Sequence, residues 1–310
     1  MLLQAPRLNR KLGALLLGIQ RYYCCDCQHS FSSSRRPIRL SKILFKEYLL
    51  GKQTLKQLSL KYGRSIPWIK KHLDLFEPQA RQINPSIITI VADATFYGRK
   101  SDRLGTLVFK DVLNNKIVGC KHIDTETAND YKQLVEELTE QGFAIQGVTI
   151  DGKRGVAKAF GDIPVQMCHF HQIAIIKRYL TSRPKLEASI ELLKLCRKIP
   201  TSTQSRFTDA LFQWHGKHKT FLEEKTINPT TGKLVSTHAK LVAAYRSLST
   251  NLPYLFTYKN YKEFRMPNTT NALDGGVFSH LQKLIKLHQG LAKKRKVKLI
   301  DEFLDNYNKK

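Results

Sequence analysis

Residues 87–93 read Ile87-Ile-Thr-Ile-Val-Ala-Asp93, an almost uninterrupted apolar run that ends on a carboxylic acid. Such a run predicts a central strand that is buried on both faces of a sheet. A second predicted strand, Ala144–Ile150, is followed in the same way by Asp151. Because neighbouring strand ends of an open α/β sheet converge on one crevice, we expect the two carboxylates to lie close together.

The segments around these strands predict the rest of the sheet. Leu104–Lys110 and Ile117–His122 have the composition of strands, and Thr127-Ala-Asn-Asp130 is a capping box that opens an amphipathic helix. Val165–His169 is a further predicted strand. The order β-β-β-α-β-α-β favours an α/β fold with a ribonuclease-H-like mixed sheet.

The 310 residues are enough for two domains, with a small helical DNA-binding domain ahead of the sheet. Prolines interrupt a mostly helical and polar stretch before the last helices, which we interpret as an α-helical insertion. The predicted boundaries are 1–35 for a partial zinc-ribbon-like segment, 36–80 for a helix-turn-helix region, 86–170 with 269–305 for the catalytic core, and 171–268 for the insertion.

Asp93 and Asp151 suggest a metal site. Two carboxylates brought together repel each other unless a cation joins them, and ligation by oxygen alone favours Mg²⁺ or Mn²⁺. Asp274, in the first turn of a predicted helix, is the best candidate for a third ligand. Three acids can hold the ions that assist a phosphodiester displacement. The alternative is that each Asp only forms a turn or caps a helix.

Near the N-terminus, Cys24 and Cys27 have the C-x2-C spacing of one zinc-ribbon knuckle. A complete site needs four ligands, and no Cys or His precedes Cys24. The two cysteines are therefore candidate Zn²⁺ ligands in an incomplete site, and the alternative is a cluster of free cysteines. The sparse cysteine content argues against a disulfide scaffold and for a reducing cytoplasm.

Residues 41–75 predict a helix-turn-helix. Thr54-Leu-Lys-Gln57 is a capping box, Gly63 breaks the helix, and Ser65 can cap a second helix whose Trp68 is expected to point inward. The outward basic residues, and therefore the predicted DNA contacts, are Arg64, Lys70 and Lys71. The alternative is a helical hairpin with a solvated basic face.

The charge balance points to a polyanionic partner. The chain carries 52 Lys and Arg against 25 Asp and Glu, a net charge of +27, and residues 1–85 alone hold 16 basic and four acidic residues. A second predicted DNA-binding cluster near the C-terminus consists of Lys293, Lys294, Arg295 and Lys296. The apolar run Leu12–Ile19 is too short to span a bilayer, so we expect no membrane association.

Four short motifs carry a resemblance to a known family. They read Val91-Ala-Asp93-Ala-Thr-Phe, Thr149-Ile-Asp151-Gly-Lys-Arg-Gly, Val165-Gln-Met-Cys168-His-Phe-His171-Gln and Asn268-Thr-Thr-Asn271-Ala-Leu-Asp274-Gly. In this order they resemble the motifs of Mutator-like bacterial insertion-sequence transposases, in the variant with an N-terminal zinc ribbon and helix-turn-helix. The resemblance runs from about Tyr22 to Leu304.

The resemblance implies DDE-type chemistry: metal-dependent strand cleavage at the ends of the element, followed by strand transfer. It assigns Asp93 and Asp151 as the first two acids, and it assigns Cys168 and His171 to a C-x2-H motif with a supporting role. The implied partners are double-stranded terminal inverted repeats and target DNA, bound by a homo-oligomer in the cytoplasm on the bacterial nucleoid.

Two departures from the family's pattern leave a second function open. The third acid is usually Glu and is Asp274 here, and the earlier C-x2-C of the ribbon is missing. Both departures fit a catalytically decayed, repressor-like DNA-binding protein of the same family. A nuclease of the same fold is a weaker alternative.

Overall fold

The computed structural model describes residues 9–15, 19–25, 28–32, 36–78, 83–98, 103–288 and 290–309. The chain divides into two compact units. The N-terminal unit comprises Met1–Gln79 with Lys286–Leu299, and the sheet unit comprises Ala80–Ile285 with Ile300–Lys310. This division differs from the predicted one, because Lys286–Leu299 belongs to the N-terminal unit and not to the core that contains the sheet.

The N-terminal unit begins with three short antiparallel strands in the order β1-β2-β3. They are β1 (Asn9–Leu15), β2 (Ile19–Cys24) and β3 (Ser30–Ser32). Tyr22 pairs with Phe31 across β2 and β3, and their rings stack with centroids 5.8 Å apart. Cys24 is half-buried at the end of β2, whereas Cys27 lies outside the described residues. The predicted zinc knuckle therefore stays a prediction.

Three helices follow: α1 (Arg36–Leu49), α2 (Leu55–Tyr62) and α3 (Ile66–Asp74). The predicted capping box is present, since Thr54 and Gln57 satisfy each other's backbone N–H groups. Gly63 ends α2 with φ +58°, a left-handed conformation that favours glycine. Ser65 caps α3, as predicted.

The sheet unit contains a five-stranded mixed sheet in the order β6-β5-β4-β7-β8. Its strands are β4 (Ile87–Phe96), β5 (Gly105–Asp111), β6 (Lys116–Ile123), β7 (Ala144–Ile150) and β8 (Val165–Met167). β4, β5 and β6 pair antiparallel, whereas β7 lies parallel to β4 and β8 parallel to β7. The chain is thus an α/β protein, and the apolar run in β4 is buried at the centre of the sheet, as predicted.

One helix covers this sheet and shares its core. It is α4 (Ala128–Glu140), which Thr127 and Asp130 open through the predicted capping box. Tyr131, Leu134 and Leu138 are buried along one face of α4 and pack with the apolar side chains of the strands. A 3₁₀ turn, Val156–Phe160, then leads to β8.

Residues after β8 form a helical layer with a core of its own. Its elements are α5 (His169–Leu180), α6 (Glu187–Arg197), α7 (Gln204–Glu223), β9 (Lys225–Ile227), β10 (Leu234–Ser236), α8 (Ala239–Leu255) and α9 (Thr257–Asn260). Trp214 is buried in this core and donates a hydrogen bond to the Ala188 carbonyl over 3.0 Å. Within the described residues, no helix has the length and apolar character needed to cross a bilayer.

The chain then returns to the sheet. Thr89 and Thr149, which are polar positions in otherwise apolar strands, donate hydrogen bonds to the carbonyls of Phe264 and Pro267 over 2.6 and 2.7 Å. The last helices are α10 (Asn271–Leu273), a π turn at Asp274–Phe278, α11 (Ser279–Leu287) and α12 (Lys293–Tyr307). The two threonines therefore hold the segment before Asp274 against the middle of the sheet.

Candidate active site

Asp93 lies within β4 and not at its end, which corrects the prediction. β4 continues to Phe96, but its parallel pairing with β7 stops at Val91 and Thr149. Beyond that point β4 pairs only with β5, on its other side. The Asp93 side chain is 6% exposed, and its Oδ1 accepts a hydrogen bond from the Ala94 N–H over 2.7 Å.

Asp151 follows β7 directly, as predicted. Its Oδ1 accepts a hydrogen bond from the Lys153 N–H over 2.9 Å, so the turn after the strand fixes the carboxylate. Gly152 has φ +87°, and a Cβ there would lie 2.1 Å from Met167 Cε, so only glycine fits. Lys153 Nζ in turn binds Glu126 Oε2 at 3.0 Å.

Asp274 begins the π turn, a helical irregularity that is common at functional sites. Its Oδ2 accepts a hydrogen bond from Thr270 Oγ1 over 2.7 Å. Two contacts hold the helices on either side of this turn, α10 and α11, on the sheet. Lys110 Nζ donates to the Ala272 carbonyl over 3.1 Å, and Gln282 Nε2 donates to Thr95 Oγ1 over 2.9 Å.

The structure brings the three predicted acids together. The side chains of Asp93 and Asp274 share a hydrogen bond, and Asp151 is close enough to act on Asp93 electrostatically. Burial and the charges of Asp274 and Asp151 raise the pKa of Asp93 to about 9. Burial, followed by the charge of Glu126, also raises the pKa of Asp151, although the Lys153 hydrogen bond opposes the shift.

Cys168 and His171 lie beside the acids, but on a helix. The prediction continued β8 to His169, whereas the strand ends at Met167, Cys168 is the N-cap of α5 and His171 lies in its first turn. The hydrogen bond with Cys168 raises the pKa of His171 to about 9. Burial raises the pKa of the Cys168 thiol, but hydrogen bonds from His171 and Thr270 outweigh burial and hold it below its ordinary value. The two side chains therefore stabilise each other's charged forms, the thiolate of Cys168 and the imidazolium of His171.

Thr270 joins this pair to the third acid. Its backbone N–H donates to Cys168 Sγ over 3.3 Å, and its Oγ1 lies 3.3 Å from His171 Nδ1. Because the Oγ1 hydrogen goes to Asp274, the hydroxyl is free to accept the proton of His171. Thr270 is fully buried, and sequence reasoning did not single it out, although it stands inside the motif quoted around Asp274.

The donor chemistry of the cluster fits a hard divalent cation. Asp151 and Asp274 lie near the buried Asp93, and only a proton or a cation can relieve the repulsion of three carboxylates. Among the described residues, however, no group of three or more His, Cys, Asp or Glu is arranged as a ready ligand set. The side chains would therefore have to rearrange around an ion, and the Asp93–Asp274 hydrogen bond would have to break.

The basic surface of the N-terminal unit is centred on α3. Arg64 and Lys71 are exposed and Lys70 is half-buried. Trp68 does not point into the core as predicted: it is half-buried, its ring stacks on that of His72 with centroids 3.7 Å apart, and Arg64 lies 5.4 Å from its centre. Aromatic and guanidinium planes therefore extend over this surface.

The C-terminal basic cluster is only partly available to a ligand. Arg295 forms a two-bond ion pair with Asp74, with contacts of 2.5 and 2.7 Å. Lys293 and Lys294 are exposed, whereas Lys296 is half-buried. The predicted contacts of this cluster with DNA therefore depend on Lys294 more than on Arg295.

No protein-family model matches the sequence, and no curated protein matches it either. One solved structure to which the chain is similar is the intasome of simian T-cell lymphotropic virus in complex with the PP2A regulatory subunit B56 gamma. The identity is 8%, the match covers 66% of this chain and 68% of that chain, and the TM-score is 0.23. A similarity at this level carries no argument about fold or function.

Proposed function

We propose that this protein is a DDE-type DNA transposase of the Mutator-like kind, which binds the terminal inverted repeats of an insertion sequence and catalyses metal-dependent strand cleavage and strand transfer. The observation that carries the proposal is the proximity of Asp151 and Asp274 to the buried Asp93. A buried cluster of like charges is destabilising, and such clusters are typical of functional sites.

The sheet topology supports the same proposal. The first three strands form an antiparallel meander, and the fourth and fifth are added in parallel on the other side of the first. We take this order, with the helical layer inserted before the last acid, as a ribonuclease-H-like core. Asp93 in β4 and Asp151 directly after β7 both lie just beyond the point where the pairing of these two strands ends.

In this proposal Asp93, Asp151 and Asp274 hold Mg²⁺ or Mn²⁺. When bound, the ions supply a polarised phosphate and an activated hydroxyl nucleophile. The chain's own residues prepare that site: Asp93 gives up its proton, Lys153 fixes Asp151 through its backbone N–H, and Thr270 orients Asp274.

DNA binding is the second part of the proposal. The +27 charge supplies affinity for phosphates that does not depend on sequence, and the exposed Arg64 and Lys71 of the helix-turn-helix supply contacts to the repeats. We propose that the protein acts as a homo-oligomer on double-stranded DNA in the bacterial cytoplasm, and that Cys24 and Cys27 hold Zn²⁺ only if further ligands complete the site.

The test is cleavage of a labelled element end in the presence of Mg²⁺. The substrate is the DNA that flanks the gene, where the proposal predicts terminal inverted repeats. We compare the wild type with Asp93→Asn and with the matched control Asp162→Asn, which changes an exposed acid of the same unit. Cleavage by the wild type and the control but not by Asp93→Asn supports the proposal. Equal cleavage by all three contradicts it.

A second candidate is a DNA-binding remnant without catalysis. The lack of a ready set of three ligands among the described residues favours it. In the same experiment this candidate predicts tight, repeat-specific binding with no cleavage by any of the three proteins. Cleavage without preference for the element end would instead indicate a nuclease.

A further inference from the structure

A cavity of about 600 Å³ lies in the helical layer of the sheet unit, and none of the three acids lines it. It is bounded by the end of α5, the start of α6 and the start of α8. Its volume falls in the range of small-ligand sites, which is about 300–1,000 Å³.

The walls of this cavity are cationic. Arg183, Lys185 and Lys240 line it, and neither Asp nor Glu does. Among the described residues, these three side chains form no hydrogen bond or ion pair, so the protein itself does not neutralise them. Three unpaired cations around one concavity attract an anion and repel one another without it.

The backbone adds donors at the same place. α8 is 17 residues long and begins at Ala239, and no side chain caps its N-terminus. Ala239 and Lys240 both line the cavity, and N–H groups in the first turn of a helix have no partner within the helix. The helix N-terminus thus presents free N–H groups and a partial positive charge to the cavity.

A buried hydroxyl is the independent sign that the cavity takes a polar ligand. Ser189 lines it although only 5% of the residue is exposed. Its hydroxyl forms no hydrogen bond with any described residue. The Ser189 oxygen is not one of the described side-chain atoms that are buried without a partner, so the hydroxyl opens onto the cavity and can donate a hydrogen bond to a ligand there.

We propose that this cavity binds a phosphodiester group of a DNA strand. Guanidinium and ammonium groups, free backbone N–H groups and a hydroxyl are the donors that phosphate oxygens accept from. The choice of DNA as the source of the phosphate rests on the proposed function. The cavity would then hold the substrate through residues other than the acids and the helix-turn-helix.

The test measures binding of labelled duplex DNA over a range of salt concentrations. The triple variant Arg183→Ala/Lys185→Ala/Lys240→Ala removes the cavity cations. The matched control Lys194→Ala/Arg197→Ala/Lys219→Ala removes the same charges from exposed helix positions of the same unit. We expect about tenfold weaker binding for the cavity variant and a salt slope lower by about 1 for each lost phosphate contact, with smaller changes for the control.

The single variant Ser189→Ala removes only the hydroxyl. It tests the proposal even if the triple variant fails to fold. We expect it to keep the melting temperature and to weaken DNA binding about threefold or more, because a hydrogen bond to a charged group is lost. Equal affinities for the cavity variant, Ser189→Ala and the wild type would overturn the proposal. A second result would also overturn it: pyrophosphate raises the melting temperature of the wild type but not of the cavity variant, while both proteins bind DNA equally well.

The outcome is separable from that of the proposed function, because binding is measured without Mg²⁺ and without cleavage. A wild type that cleaves DNA, together with an unaffected cavity variant, would refute only the phosphate site. A wild type that never cleaves, together with a cavity variant that binds weakly, would refute only the transposase.

Discussion

Asp93→Asn should stabilise the metal-free protein, and the gain should grow with pH. The folded-state pKa of Asp93 is raised to about 9, whereas an unfolded Asp titrates near about 3.9. Between these values the folded state binds more protons than the unfolded state, so the stability of the wild type falls as pH rises through this window. Asn can still donate a hydrogen bond to Asp274 but does not titrate. The variant therefore does not lose stability in this pH window.

The size of the effect follows from the pKa difference. One proton corresponds to about 1.4 kcal/mol per pH unit, so an isolated group would lose about 4 kcal/mol between about pH 5 and pH 8. Asp93 is not an isolated group, because neighbouring side chains and water rearrange when a buried carboxyl ionises, which reduces the loss. We therefore expect the advantage of Asp93→Asn to increase by about 2–3 kcal/mol over this range.

Urea denaturation followed by circular dichroism, with EDTA present, measures the free energy of unfolding at each pH. Asp162→Asn is the control, since it removes an exposed carboxylate and should give a difference that hardly changes with pH. Saturating Mg²⁺ should then stabilise the wild type at pH 8 and leave Asp93→Asn nearly unchanged. A gain from Asp93→Asn that is the same at all pH values would refute the electrostatic reasoning.

Three further predictions concern other parts of the chain. Thr270→Val should slow cleavage by about 10- to 100-fold without changing DNA affinity, because Asp274 loses its orienting hydroxyl, and Thr270→Ser should restore the rate. Removal of the Arg64 and Lys71 side chains should weaken binding of the element end and reduce the salt slope by about 2, as measured by fluorescence anisotropy. Thr54→Ala should cost about 1 kcal/mol of stability in urea denaturation, because the capping box of α2 is lost.

Local chemistry explains which elements could be predicted from the sequence. The apolar run of β4 is buried on both faces, and the capping residues Thr54 and Thr127 open helices at the expected positions. These features depend on neighbours within four or so residues, so their signal is complete in a short window. The proximity of Asp93 and Asp151 was expected from adjacent strands, although Asp93 lies inside β4: the parallel pairing with β7 stops at Val91 and Thr149, two residues before each acid.

Features that depend on distant partners could not be predicted. Thr270 contacts Cys168 across 102 residues of chain, and nothing near either residue indicates that pairing. Trp68 has the spacing of a core residue, but His72 and Arg64 cover its faces at the surface. β4 continues past Asp93 because β5 alone supplies its later hydrogen bonds, which a pattern of hydrophobicity does not encode.

The placement of Asp274 bears on whether the shorter third acid implies loss of activity. Asp is one methylene shorter than the Glu of the resembled family, yet its carboxyl reaches Asp93. The backbone supplies the reach: the π turn starts at Asp274, and the Lys110 bond to Ala272 holds the turn against the sheet. The shorter side chain of Asp274 is therefore long enough at this position. Its presence in place of Glu is by itself a weak argument that catalytic activity has been lost.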